Sequence, residues 1–168
     1  MKKIGIFYSF NTKKTALVAK KIIDKFTKDE IEAVNVENLD EESLTKYDNM
    51  IIGSSTWFDG ELPNYWDEFV PAMEDLDLKE KKIALFGLGD QKDYPENFGD
   101  AIGILAKILE KCGAEIIGET SAEGYDFEHS AALKDGKFVG LMLDQDNQKD
   151  KTDKRIDQWV KDIKKKFK

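Results

Sequence analysis

The 168-residue chain alternates short apolar runs with stretches whose apolar residues recur at helical spacing. Lys3–Tyr8 reads as a continuous apolar strand. Residues 13–27 read as a helix with Ala16, Ala19, Ile22, Ile23 and Phe26 on one stripe. Glu32–Val36 is a second strand and Glu41–Lys46 a short helix. Asn49–Gly53 is a third strand, and a helix is expected from about Asn64. Ile83–Gly87 is the fourth strand, with a helix near Phe98–Cys112 behind it and Gly113 where a C-capping glycine belongs. Ala114–Gly118 begins a fifth strand. The last helix, from about Lys151, turns Ile156, Trp159, Val160, Ile163 and Phe167 inward.

Five β-α units whose strands are apolar on both faces imply a parallel sheet covered on both sides by helices, a doubly wound α/β fold. One stretch breaks the rhythm. Between about 119 and 140 there is no helical pattern, and Val139–Leu143 then reads as strand again. The expectation is a fifth strand interrupted by an insertion of roughly twenty residues, a loop length that usually signals function. No linker-like segment or repeat divides the chain, so residues 1–168 are read as one domain. Sheets of this kind bind ligands at the carboxyl ends of their strands, where strand order switches. The loops after strands one, three and four are the ones to inspect.

The formal charge of −8 is unevenly spread. Residues 1–29 carry eight lysines and two acids, residues 149–168 nine basic and four acidic residues, and the middle nine basic and 28 acidic residues. An acidic middle argues against nucleic acid, whose phosphates demand positive charge, and suits small ligands or partners with basic faces. No apolar run approaches the ~18 residues of a membrane span, and no signal-peptide pattern opens the chain, so a cytoplasmic protein is expected. The single Cys112 excludes an internal disulfide, and with a single His129 no metal site is expected. Cys112 falls on an apolar helical stripe and reads as a small buried hydrophobe; His129 reads as a surface residue. Trp66 and Trp159 read as core.

The first loop, Ser9-Phe10-Asn11-Thr12-Lys13-Lys14-Thr15, contains neither the glycine–lysine phosphate loop of nucleotide triphosphatases nor the three-glycine dinucleotide fingerprint. It offers hydroxyl and amide groups beside the free N–H groups of a helix N-terminus, an arrangement suited to one phosphate monoester or to ordinary capping. The third loop runs Ser54-Ser55-Thr56-Trp57-Phe58-Asp59-Gly60-Glu61-Leu62, and the fourth Gly87-Leu88-Gly89-Asp90-Gln91-Lys92-Asp93-Tyr94. Each sets an aromatic residue just beyond a strand end. Trp57 and Tyr94 can therefore stack on a flat ring from opposite sides.

Four segments carry a family resemblance: IGIFYSFNTKKT, GSSTWFDGEL, GLGDQKDYPENFGDAIG and GYDFEHSAALKDGKFVGLMLDQDNQ. In order and spacing the chain resembles a flavodoxin of the long-chain type over essentially its whole length. The resemblance implies strand order 2-1-3-4-5 and a non-covalently bound flavin mononucleotide (FMN). It places Ser9, Asn11, Thr12, Lys14 and Thr15 around the phosphate, with Ser55 and Thr56 closing that site. Trp57 and Tyr94 would enclose the ring system, flanked by Phe58, Asp59, Gly60, Asn97 and Phe98. Leu88, Gly89 and Asp90 would meet its pyrimidine edge, and Asp146 would lie near the ribityl chain. No catalytic residue is implied. The sequence departs from the family where Phe10 replaces a small hydroxyl residue and Lys13 a glycine.

The implied function is a low-potential one-electron carrier, not an enzyme, working through the semiquinone/hydroquinone couple. A peptide flip at Phe58–Asp59 is expected to tune the flavin, at a cost raised by the Asp59 side chain. Acids in or beside the loops, namely Asp59, Glu61, Asp90, Asp93, Glu96, Asp100, Asp126, Asp144 and Asp146, would disfavour added negative charge and steer partners. Those partners would be redox proteins with basic docking faces, such as flavin reductases and low-potential oxidoreductases, meeting a monomer. An FMN-dependent NAD(P)H or quinone reductase is the alternative, which needs room for a second substrate over the flavin. A phosphoacceptor signalling domain is rejected, because Ser9-Phe10-Asn11 and Gly53-Ser54-Ser55 stand where its acids would be.

Overall fold

A computed structural model describes residues 3–168. In it the apolar runs become β1 (Ile4–Tyr8), β2 (Ile31–Asn35), β3 (Asn49–Ser55) and β4 (Lys82–Leu88), all parallel, in spatial order β2-β1-β3-β4. The fifth position is shared. β5 (Glu115–Ile117) pairs with the first half of β4, through Lys82 to Ala84, and β9 (Leu141–Leu143) with its second half, through Phe86 to Leu88. The chain between them folds into a three-stranded antiparallel sheet of β6 (Thr120–Ser121), β7 (Leu133–Lys134) and β8 (Lys137–Phe138), in order β6-β8-β7. The interrupted strand and its insertion are as expected. The small sheet is new, because two-residue strands leave no readable alternation.

Helices α1 (Lys14–Ile23) and α6 (Thr152–Lys166) cover one face of the sheet. Their core includes Val18, Ile22, Ile156, Trp159 and Ile163 against Ile4, Ile6, Ile51 and Phe86. The other face carries α2 (Glu41–Thr45), α3 (Asn64–Asp67), α4 (Val70–Glu74) and α5 (Asp100–Lys111), packed around Phe7, Ile52, Leu85, Trp66 and Phe98. Two helices are shorter than predicted. α1 stops at Ile23 and continues as turns through Phe26, held by Asp24, Lys25 and Phe26 N–H groups donating to the carbonyls of Lys20, Ile22 and Ile23. The helix expected from Asn64 breaks into α3 and α4, since Pro71 has no N–H to extend the ladder. Gly113 caps α5 in the left-handed region, at φ +98°. Cys112 is buried and donates to the Met73 carbonyl, and His129 is exposed. Among the described residues no helix is long and apolar enough to cross a membrane, and no cluster of His, Cys, Asp and Glu could hold a metal ion.

Candidate functional site

A cleft of about 520 Å³ opens at the carboxyl end of the sheet. Its walls come from Thr12–Thr15 at the start of α1, Ser55 and Thr56 after β3, Leu88–Asp90 and Tyr94 after β4, and Gln145 and Asp146 after β9. A second cavity of about 350 Å³ continues from it through the shared Thr56, Gly89, Asp90 and Tyr94, and adds Trp57, Phe58 and Asn97. Both fall in the ~300–1,000 Å³ range of small-molecule sites. The first is lined by hydroxyls, lysines and a helix N-terminus, the second by aromatic rings. Such a pair accepts a ligand with an anionic tail and a flat apolar head.

At the tail end the chain folds on itself before α1 begins. The Thr12 hydroxyl donates to the Ser9 carbonyl at 2.8 Å and accepts from Ala16 N–H at 3.1 Å, serving as the helix's side-chain cap. Ser9 is buried, with its Oγ accepting from Asn11 N–H. Asn11 turns its amide outward to Glu37. Ser9 and Asn11 stand behind the cleft walls, engaged by a local turn bond and by Glu37. Thr12, Lys14 and Thr15 line the cleft itself, and so does Lys13. Phe10 lies outside the cleft, half-exposed with its ring against Tyr8.

At the head end, Trp57 and Glu61 exchange backbone hydrogen bonds of 2.9 and 2.7 Å, so Phe58-Asp59-Gly60 forms the tip of a tight hairpin. Phe58 sits there at φ +48° with its ring 73% exposed. A bulky residue held in the left-handed region costs about 1–2 kcal/mol, strain of the kind found at functional loops. The strain is thus at Phe58 rather than at Asp59. Gly60, at φ +88°, lies where a Cβ would come within 2.5 Å of Asp100 Oδ2, so the hairpin seats directly on α5. Asp59 and Gly60 are tip and seat of the hairpin, next to the cavity residues Trp57 and Phe58.

Trp57 is half-buried and backed by Tyr65 edge-on at 5.9 Å. The Tyr65 hydroxyl is buried near Ser54 and Ser55, and burial raises its pKa. Tyr94, 59% exposed, lines the same cavity as Trp57. Among the described residues no ring–ring contact joins the two, and both line the same cavity. Phe98, expected to flank the ring system, is fully buried behind Gly89, where a Cβ would approach its ring to 2.7 Å. It stacks with Phe127 at 5.3 Å and so supports the floor of the site from within the insertion's aromatic cluster.

The loops are tied together by carboxylates whose hydrogen-bonding role the sequence did not reveal. Asp144 is fully buried and accepts from Gln91 N–H and Nε2, from the N–H groups of Asp146 and Asn147, and from Asn147 Nδ2. Asp90 accepts from the N–H groups of Lys92 and Asp93 and from Asn147 Nδ2. Burial would raise the Asp90 pKa, but these donors outweigh it and hold the carboxyl below its usual range. Asp100 is buried, with Ala131 N–H donating to it at 2.7 Å. Thr56 Oγ1 accepts from Ala101 N–H at 3.0 Å and so caps α5 from the neighbouring loop. Asp100 and Asp144 are thus internal braces, while Asp59, Glu61, Asp93, Glu96, Asp126 and Asp146 form the exposed rim. Gln145 was also missed as a cleft residue. The one signal was the run Asp144-Gln145-Asp146-Asn147, whose side chains readily fold onto following N–H groups.

A family model described as Flavodoxin matches residues 6–159. A flavodoxin of Nostoc sp. is 45% identical over 166 residues, covering 99% of this chain and 98% of its own length. The crystal structure of Fusobacterium nucleatum flavodoxin bound to flavin mononucleotide superposes with a TM-score of 0.95 at 38% identity, covering all of both chains. The K13G mutant of that protein, also bound to flavin mononucleotide, has the same TM-score at 37% identity, covering all of this chain and 98% of its own.

Proposed function

The chain belongs to the flavodoxin family, and from that premise we propose that it is an FMN-holding electron carrier of low potential. The observation that carries the reading is the joined pair of cavities, with Trp57 and Tyr94 at one end and Thr12, Thr15, Ser55 and the start of α1 at the other. Their donor chemistry fits the cofactor. Hydroxyls and free helix N–H groups accept a phosphate, and the slot lined by both rings accepts a flat tricycle. When bound, FMN supplies one-electron transfer, a chemistry no side chain here offers.

The chain's own residues would do the rest. Thr56 joins the two compartments and fixes the start of α5, so the phosphate end and the ring end are held in one frame. Leu88, Gly89 and Asp90 present backbone at the junction, and the Asp144–Gln91–Asn147 bonds keep that backbone from sagging. The exposed acids oppose negative charge arriving in the slot, which lowers the potential of the last electron added. By the same charge they favour redox partners with basic faces. Aromatic walls on both sides of the slot would block hydride access to the ring, which favours a carrier over a reductase. A cytoplasmic monomer suits that role.

The test is the visible spectrum of purified protein, followed by anaerobic stepwise reduction with potential recorded. A bound flavin with two resolved one-electron steps and negligible direct NAD(P)H oxidation is the expected result. Protein that cannot be loaded with FMN sinks the cofactor reading, and brisk NAD(P)H oxidation without a partner sinks the carrier.

A further inference from the structure

Two neighbouring lysines stand at the tail end of the cleft, and their charges are not equally available. Lys14 Nζ lies 2.5 Å from Asp146 Oδ1, an ion pair that spans the cleft mouth from α1 to the segment after β9. It is the first of three such pairs along α1 and the turn after it, followed by Lys21 with Asp153 and Lys25 with Asp157, each at 2.6 Å. Lys13 lines the same cleft and has no ion-pair partner among the described residues. The other polar groups at this end, Thr12, Thr15 and Ser55, are neutral.

We infer that Lys13 is the specificity-determining cation of this cleft, selecting a phosphorylated flavin over the same flavin without its phosphate, while Asp146 withholds Lys14 from that role. The inference rests on the reading that the cleft takes FMN. A phosphate monoester carries about −1.5 to −2 charges near neutral pH. Riboflavin presents the same ring and ribityl chain with no charge. Hydroxyls and helix N–H groups grip a phosphate at contact distance, whereas an unpaired ammonium on a flexible stem acts over several ångströms in solvent. Such a cation adds to the discrimination without being needed for the grip. Lys14, already neutralised by Asp146, adds little until that carboxylate is removed.

The test is fluorescence titration of the flavin-stripped protein with FMN and with riboflavin, at low and high salt. Lys13→Met should raise the Kd for FMN about fivefold at ~0.01 M salt and leave riboflavin unchanged. The difference should vanish near ~1 M salt, where the Debye length is about 3 Å. Lys13→Arg should restore the selectivity. Asp146→Asn frees Lys14 and should tighten FMN about threefold, and Lys14→Met with Asp146→Asn, which deletes the pair together, should return the Kd to within about twofold of wild type. Lys21→Met, a charge change on the same helix away from the cleft, should alter neither ligand. Equal weakening of both flavins by Lys13→Met, or no weakening of either, overturns the inference while the FMN reading stands. A wild-type protein that binds neither flavin overturns both.

Discussion

The two ends of the parallel sheet are built on opposite terms. At the amino end, polar groups are spent on one another. Asn49, fully buried at the start of β3, accepts from Lys168 N–H and donates to the Lys168 carbonyl. Lys81 reaches the Thr45 carbonyl and Asp48, Lys82 reaches the Lys166 carbonyl, and Tyr47 donates to Glu32 at 2.6 Å. At the carboxyl end the braces lie inside the loops, at Asp144, Asp100 and Thr56, and their outer surfaces are left to a ligand. There Phe58 holds a left-handed backbone, and Phe58 and Tyr94 expose most of their rings. One end stores stability, and the other gives some of it up to keep a site open.

The sharpest way to break this division is to cross it. Trp57→Ala should weaken FMN by roughly 10- to 100-fold, since one stacked ring contributes about 1–3 kcal/mol. The unloaded protein should lose only about 1 kcal/mol, because Trp57 is half-buried and its neighbours Tyr65 and Phe58 remain. Titration of the flavin and urea unfolding of the stripped protein measure the two quantities separately. Comparable losses in both would mean that site and scaffold are not separable.

Asn49→Ala is the converse. It strips two hydrogen bonds from a buried position and leaves the Lys168 backbone groups without their partner, so unfolding free energy should fall by about 2 kcal/mol. FMN affinity should not change, since Asn49 lies at the far end of β3 from Ser55. A raised Kd in the folded variant would show that the amino end reaches the site.

How much of this was legible in the chain depends on the range of the interaction that fixed each feature. Strands apolar on both faces announced the parallel sheet, because burial on both sides is itself a sequence pattern. The shared lining by Trp57 and Tyr94 was legible because each stands a few residues beyond a strand end. At Ser9, Asn11 and Phe98 the loop positions were legible but the side-chain partners, Asn11 N–H, Glu37 and the Phe127 ring, were not. The partners of Asp144 and Thr56 lie 53 and 45 residues away, at Gln91 and Ala101, distances at which a single sequence carries no signal.

A smaller effect sharpens the electrostatic half of the comparison. Neutralising Asp59 and Glu61 on the exposed rim, as Asp59→Asn with Glu61→Gln, should raise the lower of the two one-electron potentials. A charge at roughly 10 Å contributes about 20 mV through water and about 70 mV at an effective dielectric near 20. Exposure puts the expected shift near the lower figure for each residue, and added salt should shrink it. The same replacement should slow electron exchange with a basic partner at low salt only. Asp59→Gly tests the backbone rather than the charge. A side chain at residue 59 hinders a turn of the Phe58–Asp59 peptide, so glycine should move the two potentials further apart than asparagine does.

The smallest effect is at the amino end and has a sign that can be fixed in advance. Hydrogen bonding from Tyr47 holds the Glu32 carboxyl below its ordinary range against a desolvation cost, with help from the charges of Lys3 and Lys46. A depressed carboxyl stabilises the fold fully above its unfolded value of about 4.5, and that contribution is lost as pH falls through the lower folded value. Burial, with the same Glu32 bond, pushes the Tyr47 phenol well up from 10.0. A raised phenol contributes fully below about pH 10 and loses that contribution as pH climbs through the folded value. One hydrogen bond therefore contributes to both limbs of the stability–pH curve. Glu32→Gln should flatten the acid limb and leave much of the alkaline one, since burial of Tyr47 persists; Tyr47→Phe should remove the alkaline limb and weaken the acid one. With the Glu32 side chain 42% exposed, the acid-limb change in Glu32→Gln should be below about 1 kcal/mol. Urea unfolding across pH resolves it, and an acid limb unchanged in both variants would assign acid loss to the site end, where Asp90 is also held low.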